Sequence, residues 1–451
     1  MGPRSSLTAR LAPRRHEAGR AAVGIVSAAT IGALVFINIA LISLNIASVP
    51  VRALLAIALV GLIGLIAPDL LIRSLARHVR VLLLALALAA LGIFVSLING
   101  VSPATIAQLL AEVHVQAMVT LILATMLAEL AGPRAAVLGF AAAVGMTALV
   151  ALVQFTGIEA AWSLRKALGD LQGHALMDDS SFLNRRPMGL SYSPIHLATQ
   201  ACLAFAGFAA LRLWHQHGTE AARRIDWVML AGLAVMIAVA FLCQTRSPIL
   251  GAVVFVGLYM LTRGSPFYSL LIIAGAAAAA MAAPLILDMM QSAESRVFRV
   301  GDNSSEGRYT LVTYGLMLFA DNPLGYGFGF VSQDHWGPFW QELYTMPSAG
   351  EVREAELHNY ALNMLTTYGI GLILVVPLVV QVLWPARRWL IAFVPYVVHL
   401  IFHNTGPFWN DTLFWFVVGA IAVMTSREHA VAASRTPRPP APRHPRRVRS
   451  V

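Results

Sequence analysis

Between Ala21 and Thr425 the chain is a succession of apolar runs separated by short polar breaks. Each run is roughly 20 residues long, the length at which an α-helix spans a bilayer. Counting them predicts twelve helices, near residues 21–43, 52–71, 79–98, 112–131, 135–156, 190–213, 226–244, 248–262, 267–287, 360–384, 389–403 and 411–426. Of the 451 residues, 58% are apolar and 12% charged, about half the charged share of a soluble domain. The predicted fold class is therefore an all-α polytopic membrane protein with about 12 transmembrane helices.

Two connections between runs are long. Residues 157–189 contain an amphipathic stretch from Ala160 to Leu171, and residues 288–358 form the largest polar segment of the chain. Within the latter, Asn303-Ser304-Ser305-Glu306 has capping-box spacing ahead of an apolar helix from about Gly307 to Ala320, which stops at Asp321-Asn322-Pro323. The organisation expected is a basic cytoplasmic tail over 1–20 and a membrane domain over 21–287. The large loop over 288–358, a second membrane segment over 359–426 and a disordered Pro/Arg-rich tail over 427–451 follow.

Charge orients this array. Residues 1–20 carry five arginines against one glutamate, and residues 427–451 carry seven against one, so the two tails hold the whole formal charge of +10. With the N-terminus in the cytoplasm, every inner connection is basic: Arg73, Arg77 and Arg80; Arg134; Arg212, Arg223 and Arg224; Arg263; Arg387 and Arg388. That is the positive-inside pattern. Shifting the count by one span would invert it. Both termini then face the cytoplasm, both long connections face outward, and the pI of about 10.2 reflects membrane orientation, not nucleic-acid binding.

Other features carry less. Cys202 and Cys243 both lie in apolar runs and imply neither a disulfide framework nor a metal cluster. The first run lacks a small-residue cleavage site and is too long for a signal peptide, and Met1-Gly2 with Ser6 is a weak acylation pattern. Lys166 is the sole lysine.

Arginines on the outer face break the positive-inside pattern and need a reason. Arg246 stands in a hairpin, Cys243-Gln244-Thr245-Arg246-Ser247-Pro248, where Ser247 suits the N-cap and Pro248 the first turn of the next helix. A guanidinium at that depth is costly unless it meets an anion, although an arginine can also snorkel to headgroups. Arg308 falls in the expected first turn of the loop helix, whose dipole favours an anion, or pairs with Glu306 or Asp302. Arg185 and Arg186 precede Pro187-Met188-Gly189 and the sixth span. Together these are as many as four fork-shaped donors suited to a diphosphate. His358 and Asn359 end the large loop, where a neutral imidazole could take a proton from an attacking hydroxyl or simply cap a helix; His196, within a span, pairs across helices. Gly325-Tyr326-Gly327-Phe328-Gly329 is expected to be a flexible turn, since no strand precedes it. Asp178, Asp179, Asp302 and Glu306 show no metal-ligand spacing. Trp336, Trp340 and Tyr344 suit an interfacial aromatic anchor.

The order of motifs is more specific than any of them. Arg186-Pro187-Met188-Gly189 with Ser193-Pro194, then Thr245-Arg246-Ser247, Gly307-Arg308-Tyr309, Asp321-Asn322-Pro323-Leu324-Gly325-Tyr326-Gly327, and His358-Asn359 followed by Gly369-Ile370-Gly371 together resemble the O-antigen ligase and polymerase superfamily. The resemblance implies a bacterial inner-membrane glycosyltransferase of glycosyltransferase-C-like architecture, acting at the periplasmic face without cofactor or metal. Its donor would be an undecaprenyl-diphosphate-linked glycan and its acceptor a glycolipid, such as lipid A core, or a growing polysaccharide. It further implies that Arg246 and Arg308 hold the diphosphate with help from Arg185 or Arg186, and that His358, beside Asn359, handles the acceptor hydroxyl. The ligase pattern ends in Gly, Thr or Tyr where this chain has Leu372, which leaves a polymerase as the alternative. From another class, a transporter or lipid-linked sugar flippase would show repeated halves with broken helices, and no such repeat is visible in the sequence. A non-catalytic assembly partner would tolerate alanine at His358 or Arg246.

Overall fold

A computed structural model describes residues 7–46, 49–173, 185–216, 224–263, 303–409 and 411–435, with residues 267, 270, 273 and 274. Most of the expected ninth span, residues 1–6 and 436–451, and Asp178, Asp179 and Asp302 lie outside the described residues. Apart from a two-residue hairpin pairing Asn45–Ile46 with Val49–Pro50, the described chain is helical. It is an all-α, multi-pass membrane protein. Six described helices are long and apolar enough to cross a membrane, or seven if the bent pair Val51–Ile66 and Pro68–Arg77 is one span.

Helix boundaries follow the apolar runs closely at Val79–Ile98, Pro133–Phe155, Trp227–Leu242 and Ser247–Thr262. Elsewhere the structure departs from the sequence reading. The first helix begins at Leu7, inside the basic segment and with Pro13 within it, and the last runs on to Arg435 through residues of good helix propensity. The run near 52–71 instead bends by 120° after Ile66: Ala67 takes φ −137°, Pro68 starts the next helix, and a proline ring clashes with continued helix. The run near 112–131 starts earlier, at Pro103, and includes a π-helical turn at Ala111–Val115.

Helical conformation continues from Tyr360 to Leu400 through 3-10 turns at Gly369–Val375 and Arg387–Phe393. A straight helix of that length would hold its ends about 60 Å apart. Yet Asn363 Nδ2 donates to the carbonyl of Asn404 at 3.2 Å, while at the other end Arg388 pairs with Glu428 and Trp389 donates to Thr425 Oγ1 at 3.1 Å. The stretch therefore doubles back at Arg387–Phe393, in two antiparallel legs like those the sequence predicts at 360–384 and 389–403.

Pro194–Gln216 is the central helix; 78% of its apolar window is buried, among residues from Pro133–Phe155, Trp227–Leu242, Arg387–Phe393 and Thr412–Arg435. Close helix approach in such bundles relies on small residues. At Gly251 of Ser247–Thr262, a side chain would come within 2.6 Å of the Pro395 backbone, so glycine is what lets that helix lie against Val394–Leu400.

The described part of the large connection builds a core of its own from Leu311, Tyr314, Leu318, Leu343, Val352, Leu357 and Leu362. Around it run the helix Asn303–Asp321 and short turns at Ser332–Asp334, Gly337–Phe339, Trp340–Leu343 and Glu351–Glu354. Arg353 stacks over Trp336 and Trp340, 4.0 and 3.8 Å from the ring centroids, tying those aromatics into this unit. The Gly325–Gly329 segment is not a flexible turn. Gly325, Gly327 and Gly329 all take positive φ, Tyr326 and Gly327 donate to the carbonyls of Thr366 and Thr367 at 2.8 and 3.0 Å, and Phe328 is fully buried with its N–H on Ser96 Oγ at 2.7 Å. A side chain at Gly327 would meet Ser96 at 2.6 Å, so alternate glycines permit close packing here rather than motion.

Candidate functional site

Four separated segments converge on one cavity of about 430 Å³, lined by Arg246, Ser247, Leu250, Arg308, Tyr309, Val312, His358, Asn359, Ile401 and Phe402. The hairpin between Trp227–Leu242 and Ser247–Thr262 brings Arg246. Helix Asn303–Asp321 brings Arg308, and the end of the large connection brings His358 and Asn359.

Each residue is held by local structure. Gln244 turns the hairpin with φ 53°, and Arg246 occupies the N-cap position of the following helix. Ser247, expected at that cap, is instead the first helical residue, with its hydroxyl 2.7 Å from His399 Nδ1. Arg308 stands in the second turn, not the first, because the helix starts at Asn303. The dipole falls off within the first turn, so Arg308 owes its place to packing: its guanidinium lies 5.8 Å from the Phe402 ring centroid, and a side chain at Gly307 would collide with Glu351. The side chains at 303–306, including Glu306, lie outside the described residues. Asn359 caps Tyr360–Tyr368 by accepting from the Leu362 N–H at 3.1 Å, which fixes the chain direction just after His358. The His358 imidazole is pushed below its ordinary 6.5 by burial and, next, by the Arg308 guanidinium. At neutral pH it is uncharged and able to accept a proton.

The cavity lining contains two of the four outer arginines. Arg186 is buried behind the hairpin, donating to the carbonyls of Cys243 and Gln244 at 3.0 and 3.2 Å, which secures the end of Trp227–Leu242. Arg185 is exposed, pairs with Glu159 at 2.7 Å and lies 5.6 Å from the Trp162 ring centroid. Glu159 begins the amphipathic helix Glu159–Leu171, close to the stretch the sequence predicts at 160–171. His196 bonds Ser193 Oγ at 2.8 Å and packs edge-on to His403 at 5.3 Å, a contact with the non-helical segment after Val394–Leu400 rather than across helices.

Sequence reasoning named Tyr309 only as part of a motif and did not single out Val312, Ile401, Phe402 or His399. For His399 a signal existed, since an ionisable residue inside an apolar run marks a site by default. The apolar residues carried none.

A second cavity has a volume of about 520 Å³. Its wall is almost wholly apolar, including Leu84, Leu88, Leu372, Val375, Val379, Phe393 and Leu400. Tyr360 and Leu400 line this cavity while their neighbours Asn359 and Ile401 line the polar one.

Fold and site together define a polytopic helical membrane protein with a polar, arginine-bearing cavity and a separate apolar one. Residues 231–377 match a family model described as O-Antigen ligase, which supports the O-antigen ligase and polymerase superfamily named by the motif order. The matched residues include Arg246, Arg308, His358 and Asn359, but neither Arg185 nor Arg186. Comparison with curated proteins and with solved structures gives no match.

Proposed function

We propose that the protein is a bacterial inner-membrane glycosyltransferase that moves a glycan from an undecaprenyl-diphosphate carrier to an acceptor hydroxyl at the periplasmic face, on lipid A core or a similar glycolipid. The observation that carries this reading is the meeting of Arg246, Arg308, His358 and Asn359 in one cavity, all within the residues matched as O-Antigen ligase.

In this reading the acceptor O–H gives its proton to His358 as its oxygen attacks the anomeric carbon. The bond from that carbon to the diphosphate breaks with its electron pair on the bridging oxygen, and undecaprenyl diphosphate leaves. Arg246 and Arg308 stabilise the charge gathering on that oxygen, as fixed donors do in a site shielded from water. The activated bond arrives with the lipid, so no nucleotide is required, and a single displacement inverts the anomeric centre. The apolar cavity suits the polyprenyl chain.

The test is the lipopolysaccharide and capsule profile of a deletion strain complemented with wild type or His358→Ala, with analysis of its lipid-linked glycans. Bare core with long glycan stranded on the carrier identifies a ligase. Single repeat units on core or carrier identify a polymerase. Normal profiles in the deletion strain would remove both and bring a transporter forward.

A further inference from the structure

Behind the cavity wall lies a buried histidine that this chemistry does not use. His399, 1% exposed, sits on Val394–Leu400 between Pro194–Gln216 and Ser247–Thr262, where Gly251 allows the close approach described above. Its ring nitrogens are both engaged: Nδ1 is 2.7 Å from Ser247 Oγ and Nε2 is 2.8 Å from Thr199 Oγ1.

The neighbouring bonds decide where the protons are. Thr199 Oγ1 donates its one proton to the carbonyl of Ile195 at 3.0 Å, so toward His399 it can only accept. Nε2 therefore carries the hydrogen. In a neutral imidazole Nδ1 is then an acceptor, and a neutral ring is the form that this depth and the adjoining His403 ring, 5.3 Å away, favour. It follows that Ser247 donates to Nδ1. Having given its proton to His399, the Ser247 oxygen has only lone pairs left to offer, and Ser247 is one of the residues that line the cavity.

We propose that Ser247, with its hydroxyl held in this direction by the His399–Thr199 relay, is a specificity element that accepts a hydrogen bond from a hydroxyl of the bound glycan. A fixed acceptor repels a phosphate oxygen and rewards an O–H, so this point sorts sugar from diphosphate inside one cavity. His399 is a positioning residue. It lies outside the residues matched as O-Antigen ligase. The inference rests on the proposed glycosyl transfer, and the glycan hydroxyl can belong to donor or acceptor.

The experiment measures binding to the full-length protein in lipid nanodiscs of three probes: bare undecaprenyl diphosphate, the glycan-bearing carrier purified from the deletion strain, and core oligosaccharide. Ser247→Ala and His399→Phe should each weaken one glycan probe by about tenfold, the worth of one well-placed hydrogen bond, and leave bare undecaprenyl diphosphate unchanged. Whichever glycan probe loses affinity identifies the source of the hydroxyl. The double variant should be no weaker than either single one, and His399→Asn, whose Oδ1 can replace Nδ1, should recover most of the loss. Equal losses on the bare carrier, additive losses in the double variant, or parental glycan binding by Ser247→Ala would each overturn the proposal. A folded wild-type protein that binds neither carrier form would instead sink the glycosyl-transfer reading beneath it.

Discussion

The two cavities differ in almost every respect. One is lined by two guanidiniums, an imidazole, an amide and two hydroxyls, the other by leucine, valine, phenylalanine and a few aromatic residues with polar tips. Neighbouring residues, 359 and 360, 400 and 401, line one and the other. A soluble sugar-phosphate needs only the first kind, and a membrane lipid only the second. An amphiphile with a charged head and a long apolar tail has use for both, which sets up experiments that affect one cavity and spare the other.

The largest expected effect is at His358. Replacement by Ala removes the base and should lower the transfer rate by about 10²–10⁴-fold in proteoliposomes, with the carrier still bound. The same residue predicts a pH profile. Burial and Arg308 hold its pKa below 6.5, so the neutral, active form persists above that value and the rate falls only as pH drops through the lowered pKa. In Arg308→Gln the repelling charge is gone, and the acid limb of the residual activity should move to higher pH; an unmoved limb would assign the titration to another group.

Arg246→Ala and Arg308→Ala come next, with losses in kcat/KM on the order of 10²–10³-fold expected of a missing charge-stabilising donor. Lysine should restore little at either position, since it lacks the fork. In the apolar cavity, Val379→Trp fills space and should weaken the full-length carrier about tenfold, a cost of roughly 1.4 kcal/mol in buried apolar contact. A carrier with a truncated chain should bind as before. If both lengths suffer equally, the apolar cavity does not hold the tail. The smallest effect is reserved for Arg185→Ala: with the Arg185–Glu159 pair mostly exposed, activity should change by less than about twofold. A large loss there would return Arg185 to the diphosphate site.

Legibility differed between features for reasons that can be named. Helices such as Val79–Ile98 and Pro133–Phe155 announce themselves because a bilayer demands an uninterrupted apolar run and internal satisfaction of every backbone group. The helix start after His358 and Asn359 was visible, though the cap is Asn359 where the sequence reading offered His358 for that part. Which helix faces pack was not visible. In a lipid environment the outer and inner faces of a span are both apolar, so the periodicity that marks the buried side of a soluble helix is absent. Ile401 and Phe402 therefore looked like any other span residues, and Arg185 and Arg186 looked like equals of Arg246.

By itself the sequence determined the membrane class, the approximate helices and the arginine and histidine types on which the proposed transfer relies, because hydropathy, charge and capping act over a few residues. Tertiary structure alone decided that Arg246, Arg308 and His358 share one cavity while Arg185 and Arg186 stay outside it. It also decided that alternate glycines at 325–329 are a packed wedge, and that Ser247 answers to a histidine 152 residues away. Those are contacts between distant segments, set by the packing of whole helices against one another, and no local pattern encodes them.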